Sequence, residues 1–115
     1  MKKPSRQQGE LLKGSTPTLI LAVLEEAPRH GYAIAREVER RSQNALSLGE
    51  GSLYPALLRM LKAGWVSAEW GVSARNRRVR IYRITPAGHK QLDREVSAFE
   101  RMLDGIVRVM KVAQS

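Results

Sequence analysis

The stretch from Glu50 to Val66 admits few folds. Leu53, Leu57, Met60 and Leu61 recur at helical spacing and gather on one side of a wheel drawn at about 100° per residue. Ser52, Pro55, Arg59 and Lys62 fall opposite, with Tyr54 on the flank. Gly64 stops the helix, and Trp65-Val66 opens an extended run. Further on, Arg75-Asn76-Arg77-Arg78-Val79-Arg80-Ile81-Tyr82-Arg83 reads as an arginine-loaded turn within a hairpin. A helix presenting small and basic side chains, followed by a basic hairpin, predicts a winged helix-turn-helix. The expected class is mainly α with a small β-hairpin (α+β). That architecture lays a helix in the DNA major groove and a hairpin tip against the neighbouring backbone or minor groove.

Two starts are open to this third helix. Ser47-Leu48-Gly49-Glu50 has the spacing of a capping box. A helix from there buries Pro55 in its interior, at a cost of about 3 kcal/mol. Ser52 as N-cap instead puts Pro55 in the first turn, where its missing N–H is tolerated. We place the cap at Ser52, after a loop from Ser47 to Gly51.

Proline and glycine divide the rest of the chain. Residues 1–14 are polar and basic and read as a mobile arm as far as Leu11. Thr16-Pro17 offers an N-cap with proline at the first helical position. The helix predicted from there to about Ala27 is apolar on most of its circumference (Leu19, Ile20, Leu21, Val23, Leu24), so it needs cover on more than one side. Pro28 ends it. His30-Gly31 turns the chain into a second helix, Tyr32 to about Ser42, with Ile34, Ala35 and Val38 inward. Hairpin strands are expected over Trp65–Trp70 and Arg78–Ile84.

Thr85-Pro86 repeats the cap-plus-proline signal and opens a last helix running to about Val112. Its apolar residues Leu92, Val96, Phe99, Leu103, Ile106 and Met110 form a heptad seam. Lying beyond the wing, that seam has few partners in its own chain except the first helix. A homodimer through these six residues is the economical expectation. The division is then 1–86 for the arm and winged helix and 87–115 for the dimerisation helix.

Charge names the partner. Net charge of +9 over 115 residues, with a basic pI near 10.7, suits a single domain that meets a polyanion. Residues 71 to 92 contain no acid, which concentrates the positive field at the hairpin. Without cysteine there is no disulfide or Cys-ligated metal. No apolar run has the length of a bilayer span, and no apolar h-region follows the basic N-terminus, so a signal peptide is not supported. A cytoplasmic protein without cofactor or metal is expected. The two histidines are far apart, and P-loop, H-E-x-x-H and GxGxxG motifs are missing, so no catalytic constellation is indicated.

Candidate contacts to double-stranded DNA follow. Ser52, Tyr54, Pro55, Arg59 and Lys62 lie on the third helix; Arg75, Asn76, Arg77, Arg78 and Arg80 lie on the wing; His30 and Tyr32 lie at the start of the second helix. Small residues let the helix approach base edges, and the cations reach phosphates. Other roles are open to several of them. Asn76 also suits a left-handed turn, His30 a simple turn, and Arg59 with Lys62 an ordinary solvated face. Trp65 and Trp70 are read as packing between hairpin and helices, and His89 as solvent-facing. A winged-helix module for protein or RNA interaction remains the alternative, although fewer exposed aromatics are present than an RNA binder usually shows.

Several blocks resemble the PadR family of transcriptional regulators. They are Leu12-Lys13-Gly14, Pro28-Arg29-His30-Gly31-Tyr32-Ala33-Ile34, Gly49-Glu50-Gly51-Ser52-Leu53-Tyr54-Pro55-Ala56-Leu57, Asn76-Arg77-Arg78 and Tyr82-Arg83-Ile84-Thr85-Pro86-Ala87-Gly88. The match runs from about Glu10 to the C-terminus. The lone C-terminal helix is similar to the short PadR subfamily, and Glu69-Trp70-Gly71 to its acidobacterial-type branch. The resemblance implies a dimeric winged-helix repressor on an inverted repeat. Drug-responsive members of the family carry a tryptophan on the C-terminal helix. Here that helix has Phe99 instead, so a small-molecule effector is left unsupported.

Overall fold

A computed structural model describes residues 6–112, with side chains from 14 to 111. The elements in order are α1 (Arg6–Glu26), β1 (Arg29–His30), α2 (Gly31–Arg41), α3 (Glu50–Lys62), β2 (Val66–Val72), β3 (Arg78–Ile84) and α4 (Pro86–Val112). This is the winged helix that the sequence predicts, with a short extra strand.

The first helix departs from expectation. It begins well upstream of Thr16-Pro17, so Pro17 sits inside it and the expected arm is helical from Arg6 onward. Residues 1–5 of that arm lie outside the described residues. An interior proline forgoes one hydrogen bond, at about 3 kcal/mol. The upstream Gln, Glu, Leu and Lys residues are strong helix formers, and they carry the helix through it. Thr16 is buried in this helix and does not cap it.

Helix α1 is the centre of the molecule, packed by α2, α3, α4 and β3. Ile20, Leu21 and Leu24 on α1 meet Ile34 of α2 and Leu57 and Met60 of α3, all fully buried. The near-continuous apolar circumference of α1 is thereby covered on several sides, as its composition requires.

The sheet has strand order β1-β3-β2, antiparallel throughout. Strand β1 pairs Arg29 with Tyr82 and His30 with Ile81. It was missed in the sequence because two residues carry no readable alternation. Gly64 ends α3 at φ +78°, a conformation open to glycine at little cost.

Thr85 joins the wing to α4. Its Oγ1 donates to the Gly64 carbonyl at 2.6 Å and accepts from the Gly88 N–H at 3.0 Å, confirming the predicted N-cap. The first turns of α4 are strapped to α1: Thr18 Oγ1 donates to Glu95 at 3.0 Å, and His89 Nδ1 lies 3.2 Å from Glu25. Leu92 is only 4% exposed, packed into the protomer's own core. The sequence reading places it in a dimer seam; within the protomer it is already buried, apart from the exposed stripe that follows. From Val96 onward the apolar stripe of Phe99, Leu103, Ile106 and Met110 stands exposed. No described helix is long and apolar enough to cross a membrane.

Candidate nucleic-acid interface

Helix α3 buries Leu53, Ala56, Leu57 and Met60 and turns Ser52, Pro55, Arg59 and Lys62 outward. Its N-cap is Gly49, not Ser52. The Gly49 carbonyl accepts from the N–H groups of Ser52 at 3.1 Å and Leu53 at 2.9 Å, so the helix is already wound when Ser52 arrives. Pro55 is therefore interior. Having no N–H, it leaves the Gly51 carbonyl without the donor it would have had four residues on. The cost is borne on the exposed face, where water can reach that carbonyl. Leu58 is also exposed, at the edge of the presented stripe, and sequence periodicity gave no reason to select it.

The start of α2 approaches α3 from one side. His30 caps α2, its Nδ1 accepting from the Ala33 N–H at 3.3 Å. Its ring runs parallel to that of Tyr32, with centroids 6.5 Å apart. Tyr32 is exposed, and the Arg36 guanidinium lies 5.9 Å from its ring centroid. Farther along α2, Glu37 ties the helix together. Hydrogen bonds from Arg40 and then Arg41 lower its carboxyl to about 2.

The wing approaches from the other side. Ser73 organises its tip: its N–H donates to the Arg77 carbonyl at 2.8 Å, its carbonyl accepts from Asn76 at 2.9 Å, and its Oγ accepts from the Arg77 N–H at 3.3 Å. Asn76 adopts φ +60°, the left-handed turn conformation that asparagine tolerates. Register fixes the faces. Val66 pairs with Ile84, Ala68 with Tyr82, Trp70 with Arg80 and Val72 with Arg78, so these side chains share one face. Nearest the helices that face is core, with Val66 and Tyr82 buried; burial pushes the Tyr82 phenol up. Toward the tip the same face bears Trp70, Arg78 and Arg80 in the open. Trp65 packs against the core, as expected. Trp70 does not: it is 60% exposed, because the sheet extends beyond the reach of the helices.

Between α2, α3 and the wing lies an open groove of about 820 Å³. Of the residues selected from the sequence, it gathers His30, Tyr32, Tyr54, Arg75, Arg77, Arg78 and Arg80. Ser52, Pro55, Arg59 and Lys62 are exposed on α3 outside that lining, and Asn76 turns at the tip. Gly31, Trp70, Ser73, Ala74, Val79 and Tyr82 also line the groove and were not selected; strand parity puts Tyr82 on the face of Arg80, a signal that was available, whereas Trp70 needed the register between strands as well. Among the described residues, Arg75, Arg77, Arg78 and Arg80 make no ion pair, whereas Arg29, Arg40, Arg41 and Arg83 all do. The groove thus presents four guanidiniums with their charge unneutralised, a setting suited to phosphate. No group of three or more His, Asp or Glu side chains able to hold a metal occurs among the described residues.

Residues 20–94 match the model of the transcriptional regulator PadR-like family. An uncharacterized protein of Lysinibacillus sphaericus is 28% identical over 85 residues, covering 74% of this chain and 78% of its own length. The solved structure of a transcriptional regulator from Clostridium thermocellum superposes with TM-score 0.78 at 27% identity, covering 86% of this chain and 96% of that one. A PadR-like transcriptional regulator from Bacillus cereus shares the fold, with TM-score 0.75 at 24% identity over 89% and 97% of the two chains. Sequence match and fold agree over the winged helix and into the helix that follows it, and the chain belongs to the PadR-like family of transcriptional regulators.

Proposed function

We propose that this chain is a homodimeric transcriptional repressor that binds an inverted-repeat operator in duplex DNA. The observation that carries the reading is the groove between α3 and the wing, where four arginines stand free of carboxylates. In this reading the exposed Ser52 and Pro55, with Tyr54 beside them, face base edges of the major groove, and Arg59 and Lys62 reach phosphates. Arg75, Arg77, Arg78 and Arg80 hold the backbone next to it, Asn76 shapes the tip, and His30 and Tyr32 close the far side. Residues 1–86 act as the DNA-binding unit and 87–115 as the dimerisation helix.

The α4 stripe supports the second copy. Val96, Phe99, Leu103, Ile106 and Met110 are 40%, 49%, 43%, 46% and 66% exposed, an apolar run that a second α4 covers. Phe99 then sits within packed side chains, which leaves little space for a planar drug. Genome-wide footprinting with the purified protein tests the reading. The expected result is protection of inverted repeats whose half-sites lie about one helical turn, 34–36 Å, apart. Binding without sequence preference, or to single strands alone, overturns it.

A further inference from the structure

Trp70 is an exposed indole with two cations on it. The Arg78 guanidinium lies 4.3 Å from its ring centroid and that of Arg80 5.8 Å. Register brings them together, since Trp70 pairs directly with Arg80 and Arg78 lies one step along the same face. All three line the groove. The opposite face of the same strand offers a contrast: there Glu69 holds Arg83 at 3.1 Å.

A carboxylate and an aromatic ring fix an arginine in different ways. The carboxylate occupies the N–H donors and cancels the charge, so an incoming phosphate must displace it. The ring attracts the guanidinium through its quadrupole and leaves both the charge and the donors at the rim available. The wing therefore has one arginine engaged by an acid and two that lie against a ring, with no carboxylate on them. At 60% exposure, Trp70 contributes little to the core, and support of the arginines is the work its position allows.

We propose that Trp70 is a positioning residue for DNA recognition, its ring holding Arg78 and Arg80 pre-ordered and free of carboxylates in the groove for phosphate oxygens of the duplex. This rests on the DNA-binding reading above. Side chains immobilised at an interface lose rotamer freedom on binding, and ordering two of them beforehand removes part of that loss. Truncating the ring is then expected to weaken duplex binding about tenfold.

The experiment has two arms. The first needs no DNA: NMR relaxation of arginine Nε–Hε groups is measured in the native protein, Trp70→Ala and Trp70→Phe. Order at Arg78 and Arg80 should fall in Trp70→Ala and largely return in Trp70→Phe, while Arg83 stays unchanged. The second arm measures affinity for a duplex footprinted by the native protein, in a cycle with the Arg78→Ala/Arg80→Ala background. Trp70→Ala should lose about tenfold in the native background and less than about twofold in the doubly substituted one. Unchanged arginine order, or equal loss in both backgrounds, overturns the proposal. If the native protein binds no duplex, the DNA-binding reading fails, and the relaxation arm still decides whether Trp70 orders the arginines.

Discussion

The ring of Tyr54 on α3 lies against Gly31 at the start of α2, so close that a Cβ on Gly31 would stand 2.8 Å from the tyrosine oxygen and 2.9 Å from Cε1. The absent side chain at Gly31 sets where the Tyr54 ring rests, and with it one wall of the groove.

Gly31→Ala should therefore move Tyr54 without unfolding the protein. Tyr54 is 46% exposed and can swing outward. Alanine also restricts the unfolded chain, which stabilises by about 0.4–1 kcal/mol where the backbone allows it. The two effects oppose, so thermal stability should change by no more than about 0.5 kcal/mol. Duplex affinity should drop several-fold. A large fall in melting temperature with affinity intact would show that the contact serves packing alone.

Base readout and backbone grip should separate by substitution. Ser52→Ala or Tyr54→Phe is expected to narrow the gap between operator and random duplex. Arg77→Ala should weaken both nearly equally and flatten the salt dependence by about one unit of slope. Titrations at several salt concentrations check this, and similar losses of specificity from both sets would refute the assignment.

Leu103→Asp tests assembly. In a covered α4 stripe, an unpaired carboxylate costs several kcal/mol, on the order of the 2–7 kcal/mol for an uncompensated polar group. Light scattering should report monomers, with operator affinity collapsing because two half-sites are no longer held together. A variant that stays dimeric rules out α4 as the interface.

Acid should loosen α2 through Glu37. Its carboxyl is lowered from an ordinary 4.5 to about 2, first by the hydrogen bond from Arg40 and then by that from Arg41. A depressed carboxyl pKa stabilises the fold above the unfolded value, and that contribution is lost as pH falls from about 4.5 toward 2. Glu37→Gln should therefore be less stable at neutral pH and show a shallower decline over that window. Urea midpoints at pH 6, 4 and 3 measure it; parallel declines in both proteins would exclude the linkage.

Where a local signal was unambiguous, structure and sequence coincide. The Thr85-Pro86 cap fixes the start of α4, and alternation with arginine fixes β3 as Arg78–Ile84. The prolines at 17 and 55 misled for one reason. A first-turn position is the least costly place for proline, but an interior one is tolerated when neighbouring residues and packing favour the helix. Strand β1 exists only because Tyr82 and Ile81 offer it a ladder, which no local pattern reports. Trp70 and Leu92 show the remaining difficulty. Periodicity tells which face a side chain occupies, but not how far the neighbouring helix extends to cover it. The charge of the groove was readable from the acid-free run, whereas its aromatic wall depended on three elements meeting.

Four unneutralised guanidiniums around one groove also repel one another. Added salt screens that repulsion, with a Debye length of about 10 Å at 0.1 M, so the free fold should gain stability as ionic strength rises. The hold on phosphate weakens over the same range. Folding and binding thus respond to salt with opposite signs. Duplex DNA, by supplying the negative charge the groove lacks, should raise the melting temperature most in the dilute buffers where the free protein is least comfortable.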